Sequence, residues 1–97
     1  MYDDLIGTMV VIRTYSAGVH FGTLVAVDGR KVKLTDARRI WYWKGANTLN
    51  EIATVGVDIA KSKVSAPASK IVLTQAIEVM AMEPAAVTNL AGATWAS

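Results

Sequence analysis

The sequence predicts a mainly β domain: a small SH3- or Sm-like barrel, or a meander, of five to six strands with one or two short helices. Three observations predict it. β-Branched and aromatic residues fill the segments from Met9 to Tyr15 and from Val19 to Val27. Turn signals follow each of them, Ser16-Ala17-Gly18 and Asp28-Gly29. A strict period of two then runs through Lys31 to Thr35, with Val32 and Leu34 on one face. The 97 residues suffice for one modest core, so the chain is read as a single domain, 1–97.

Met9 to Tyr15 is the first strand, and Gly18 is free to take the positive φ of the turn after it. In the second strand Val19, Phe21, Thr23, Val25 and Val27 share one face. Gly22 inside that strand marks a sharp bend or bulge of a small barrel. The third strand, Lys31 to Thr35, has one buried and one wet face, and Asp36-Ala37 is expected to end it. Thr48-Leu49-Asn50-Glu51 has the form of a capping box, predicting a helix of about two turns to Val55 with Gly56 as its stop. Lys61 to Lys70 contains Pro67 and few apolar residues, and reads as a flexible basic loop. Ile71 to Met82 tolerates either a strand or a helix; strand is preferred, because the meander before it needs closing partners. Pro84 to Ala91 reads as a short helix with Gly92 after it. Trp95, near the end, is expected to fold back or to be covered by a neighbouring chain.

Composition narrows the function classes. The chain is 53% hydrophobic and 19% charged, with a mean hydropathy of +0.34. So apolar a small chain is expected to cover part of its surface with another subunit, as a homo-oligomer. No apolar run approaches the roughly 20 residues that span a bilayer, and Asp3-Asp4 is wrong for the start of a secretory signal. No membrane association and a cytosolic location are therefore expected. Cysteine is absent, which removes disulfides and thiolate chemistry. With one histidine, His20, a transition-metal site would need carboxylates alone, nothing in the sequence pairs His20 with a nucleophile, and the carboxylates are scattered. The glycines form no phosphate-cradling loop. Neither an enzyme nor a cofactor protein is expected, and His20 is read as a surface or interface residue.

Binding is the better supported class. Residues 38 to 44 read Arg-Arg-Ile-Trp-Tyr-Trp-Lys, holding two of the three tryptophans and three of the ten basic residues. Planar rings stack on bases, and guanidinium groups pair with phosphate oxygens in a bidentate way. Arg13, Arg38, Arg39 and Lys44 are the candidate phosphate ligands; Trp41, Tyr42 and Trp43 are the candidate stacking residues; Tyr15 adds a hydroxyl near the first turn. If the segment is extended, Arg39, Trp41 and Trp43 share one face, and Arg38, Ile40, Tyr42 and Lys44 the other. That mixture fits an edge or interface strand, with the first face preferred for a ligand. Lys61, Lys63 and Lys70, like Lys31 and Lys33, are read as solvated charges.

The blocks Arg13-Thr14-Tyr15-Ser16-Ala17-Gly18-Val19, Gly22-Thr23-Leu24 and Asp36 through Ala46 resemble an uncharacterised family of small bacteriophage proteins. The likeness covers about Leu5 to Gly56 and, more loosely, Ile71 to Met82. It implies a phage origin and a compact β-rich module. In size and site chemistry the chain also looks like the small phage proteins that sequester nucleotide immune signals. That analogy implies a non-enzymatic oligomer in the cytoplasm of the infected bacterial host, holding a cyclic oligonucleotide or an ADP-ribose-derived nucleotide. The alternatives are an Sm- or SH3-like module for single-stranded nucleic acid and a structural capsid or tail accessory. A net charge of only +2 weighs against a long polyanion track.

Overall fold

The structure, a computed structural model, describes residues 3–93; Trp95 lies outside the described residues. After a 3₁₀ turn at Asp3–Leu5 come β1 (Met9–Thr14), β2 (Val19–Asp28) and β3 (Lys31–Tyr42). Then follow α1 (Leu49–Thr54), a second 3₁₀ turn at Ile59–Lys61, β4 (Lys63–Val64), β5 (Ala68–Leu73), β6 (Ala76–Ala81) and α2 (Pro84–Ala91). The six strands form one antiparallel sheet, ordered β4-β3-β2-β1-β6, with β5 also paired to β3. This is the mainly β architecture expected, with two short helices. No helix among the described residues is long and apolar enough to cross a membrane.

Connectivity makes this sheet curl. In a flat sheet β5 and β6 would lie about 19 Å apart, because β3, β2 and β1 stand between them. Thr74 and Gln75 alone join the two strands, and the three Cα steps from Leu73 to Ala76 span at most ~11 Å. The outer strands are therefore drawn together. Gln75 accepts a hydrogen bond from the Tyr15 N–H at 3.0 Å, and the Ala76 N–H reaches the Arg30 carbonyl at 3.0 Å. β5 and β6 share no ladder, so the sheet stays open.

The curl explains two cores on opposite faces. Inside it lie Val10, Ile12, Leu24, Val32, Leu34, Ala37 and Leu73. On the outer face α1 and α2 cover a second cluster that includes Val11, Phe21, Ile40, Ile52, Val64 and Leu90. β1 is thus buried on both faces, which is why Val10-Val11-Ile12 is an unbroken apolar run rather than an alternation. Thr48 caps α1 by accepting the Glu51 N–H, and Gly56 ends it at φ 90°. Asn89 of α2 ties the helices to the chain between them, accepting from the Val57 N–H at 2.8 Å and donating to the Val57 carbonyl at 2.9 Å.

Three expectations change. β3 does not end at Asp36-Ala37; Asp36 takes a φ of 50° and the strand runs on to Tyr42. It is also a central strand, since β2 flanks it along its length while β5 and β4 share its other side. Residues 61–70, expected as a loop, contain β4 and the start of β5, and Ile71 to Met82 is two strands joined at a tight turn. β4 and the start of β5 escape a sequence reading because each is short and polar residues flank them, and β3 supplies their order; Ile71 to Leu73, read as strand, is the second half of β5.

Gly22 sets the bend in β2. A Cβ there would stand 3.0 Å from both the Ala37 Cα and the Thr35 carbonyl oxygen, and the β2–β3 register shifts between Phe21 and Thr23. Gly22→Ala must push backbone against backbone. It is expected to cost about 1–3 kcal/mol in urea unfolding. Gly92→Ala, where the nearest atoms are 3.6 Å away, should stay within about 0.5 kcal/mol of the parent.

Candidate ligand-binding site

Cross-strand partners share a face, so the register sorts the basic and aromatic side chains. One row across β1, β2 and β3 is Ile12, His20 and Arg39; the next is Val11, Phe21 and Arg38. The first row faces the inside of the curl and the second faces the helices. Neighbouring arginines therefore meet opposite surroundings.

Arg38 turns inward. Its guanidinium lies over the Phe21 ring, 6.0 Å from the centroid, and its Nε donates to the Ser65 carbonyl at 2.8 Å. Its Nη2 is buried without a partner among the described residues, and burial lowers its pKa below the ordinary arginine value. Arg39 instead reaches the surface. Its Nε donates to Nε2 of His20 at 3.1 Å, while neither Nη group has a partner among the described residues. His20 is 1% exposed, a correction to the expected surface histidine. Desolvation, and secondly the Arg39 charge, lower its pKa from 6.5 to about 4. The neutral imidazole accepts from Arg39 through Nε2, so its proton sits on Nδ1. The result is a guanidinium held by one edge with its two-pronged edge free.

Trp41 stands two residues along on the same strand and is 47% exposed. Lys63 Nζ lies 5.1 Å from its ring centroid. Tyr42, beside it, is 43% exposed. The chain around them is laced down by serines. Ser65 donates its N–H to the Arg39 carbonyl and accepts the Arg39 N–H through Oγ, both at 2.8 Å. Ser62 Oγ accepts the Lys44 N–H at 3.1 Å, which leaves the Lys44 side chain exposed at the end of the segment. Lys63, Ser62, Ser65 and His20 were missed as site residues. Only the fold shows that the Ser/Lys stretch returns along β3.

Arg13, Trp43 and Tyr15 are elsewhere. Arg13 pairs with Val19 across the ladder and so lies on the helix side, where its Nη1 meets Glu78 Oε1 at 3.2 Å. Trp43 does not share a face with Arg39 and Trp41 as an unbroken alternation implies. β3 ends at Tyr42 with a register shift after Ile40, and Trp43 packs against the helix-side core, bordering a groove with Arg13. Tyr15 is 77% exposed in the turn after β1. The structure thus sets Lys63 against Trp41 and opposite Tyr42 on the strand that carries Arg39, leaves Lys44 exposed beyond its end, separates Arg13 and Trp43, and buries much of Arg38. Among the described residues no three His, Asp or Glu side chains are grouped to hold a metal ion.

The His20 environment has a measurable consequence. Above pH 6.5 both folded and unfolded chains hold a neutral imidazole. As pH falls from 6.5 towards about 4 the unfolded chain takes up a proton that the folded one refuses, so stability drops across that window. His20→Gln keeps an acceptor for Arg39 without a titrating group. Thermal unfolding followed by circular dichroism should show a shallower loss of Tm from pH 7 to pH 4 in H20Q than in the parent. Identical slopes would place the acid sensitivity in the carboxylates instead.

No curated protein and no solved structure matches the chain. A family model does. Residues 7–90, which include all six strands and most of α2, match the family described as a domain of unknown function (DUF6948), and the chain belongs to that family.

Proposed function

We propose that the protein is a non-enzymatic binding module that captures a nucleotide-type ligand on the Arg39–Trp41–Lys63 surface. The observation that carries this reading is Arg39 itself. Its Nε is anchored on a buried, neutral histidine, and both Nη groups lack a partner among the described residues, two residues from an exposed tryptophan. A guanidinium held this way loses little freedom when it takes two phosphate oxygens. Trp41 and Tyr42 offer ring faces for a base, and Lys44 and Lys63 add mobile positive charge around them. Capture needs affinity rather than reactive groups, so this set of residues is sufficient for the task.

The family resemblance extends the proposal to a phage-encoded protein acting in the cytoplasm of an infected bacterium, with a cyclic oligonucleotide or ADP-ribose-derived immune signal as ligand. Self-association belongs to the same reading. Val72 of β5 and Ile77 of β6 are 54% and 48% exposed, apolar side chains that a second copy would cover.

Isothermal titration against cyclic di- and trinucleotides and ADP-ribose derivatives tests the reading, with native mass spectrometry giving the subunit number. Trp41→Ala should weaken the best ligand about 10- to 100-fold, in line with the ~1–3 kcal/mol that stacking supplies per base. Arg39→Ala should weaken it at least about tenfold, while Arg13→Ala leaves it unchanged. Absence of heat from every nucleotide defeats the proposal. Binding only to single-stranded oligonucleotides, with a steep salt dependence, would favour a nucleic-acid module instead.

A further inference from the structure

The opposite face of the sheet carries a site of different chemistry. Behind the end of β3 an open groove of about 340 Å³ runs between β1, β6 and the start of α1. One wall is Trp43, half-buried and packed against the helix-side core, with Val19 and Leu49 beside it. Packing of this kind fixes the indole while leaving part of it to the groove. On the rim stand Arg13 and Glu78, cross-strand partners of β1 and β6, 3.2 Å apart with side chains 55% and 46% exposed. Asn47, Thr48 and Asn50 complete the lining, and neither asparagine side-chain amide has a hydrogen-bond partner among the described residues.

Charge decides what such a groove accepts. Glu78 neutralises Arg13, and a carboxylate at that distance repels a phosphate that would approach the guanidinium. The groove therefore lacks the uncompensated cation that marks Arg39. What it offers is paired donors and acceptors: one carboxylate, one guanidinium and two amides, each amide both donating and accepting. Hydroxyl groups need this pairing, since each one donates once and accepts as well. The indole wall suits a ring with an apolar face. The volume sits at the low end of the roughly 300–1,000 Å³ of small-molecule sites, room for one or two rings.

We propose that this groove binds a neutral, polyhydroxylated ring, a saccharide unit, stacked on Trp43 and hydrogen-bonded by Arg13, Glu78, Asn47 and Asn50. The same chemistry is presented by a free sugar or glycan and by the ribose of a nucleoside. Occupancy is independent of the Arg39–Trp41 surface, because the two lie on opposite faces of the sheet.

The test is a ¹⁵N–¹H NMR titration of the whole protein, following the indole N–H signals assigned by Trp41→Phe and Trp43→Phe. Probes are neutral hexoses, N-acetylhexosamines and their short oligomers, then adenosine and 2′,3′-dideoxyadenosine. The Trp43 indole signal should move with a saccharide or with adenosine, with a Kd of about 1 mM or tighter, and the Trp41 signal should not move with a saccharide. Hexose binding with no adenosine response identifies a glycan; adenosine binding without hexose binding identifies the ribose. Asn50→Ala and Glu78→Gln, both at exposed positions, should each weaken binding at least about fivefold with the fold retained. The proposal is overturned if no probe moves Trp43 at about 50 mM. It is also overturned if dideoxyadenosine binds as well as adenosine, or if a hexose phosphate binds more tightly than the hexose. None of these outcomes depends on whether a nucleotide binds at Arg39.

Discussion

At Gly22 the backbones of β2 and β3 approach so closely that a single added carbon would stand 3.0 Å from the Ala37 Cα. Much of the molecule depends on that contact. It admits the register shift between Phe21 and Thr23 and sits opposite the left-handed turn of Asp36. Through this bend β3 continues without breaking, passing from β5 on its inner half to β4 on its outer half. A side chain in place of Gly22 would force the two strands apart where their register shifts. The same curvature lets Thr74 and Gln75 connect strands that a flat sheet would hold too far apart.

Curling divides the sheet into an inner and an outer face, and that division assigns the charges. Arg38 and Arg39 are adjacent in sequence, identical in chemistry and opposite in fate. Arg38 lies over Phe21 and bonds to the Ser65 carbonyl; Arg39 rests on His20 and opens to the surface. Burial keeps the histidine neutral, and only a neutral imidazole can accept the Arg39 N–H. A buried group that is easily mistaken for an isolated core residue thus orients an exposed cation. The serine contacts from Ser62 and Ser65 serve the same end by fixing the backbone beneath the aromatic side chains. A binding surface mounted on paired strands keeps its geometry better than one mounted on a loop.

Two surfaces of contrasting electrostatics result, only one sheet thickness apart. Around Trp41 positive charge is uncompensated; around Trp43 it is cancelled by Glu78. Aromatic residues supply stacking area at both. The sign and balance of nearby charge, rather than the rings, separate the anionic ligand proposed for the first surface from the neutral polar one proposed for the second.

The sequence by itself determined the local elements. The first two strands, the start of the third, both helices with the Thr48 cap of α1, and the bend at Gly22 were legible, because period two, capping chemistry and glycine act through near neighbours. The aromatic-basic segment was legible as a binding candidate from residue types alone. The continuation of β3 through Asp36, the strands within 61–70 and the burial of His20 were not legible. Each depends on a partner many residues away: Gly22 beside Ala37, Ser65 beside Arg39, Ile12 beside His20. Alternation placed Arg38 and Arg39 on different faces, but it also put Trp43 with Trp41. The register shift after Ile40 and the helix-side core took Trp43 to the Arg13 groove instead. Residue chemistry thus named the groups able to bind, and tertiary structure decided which of them share a surface, because strand register and sheet curvature are set by contacts distant in sequence.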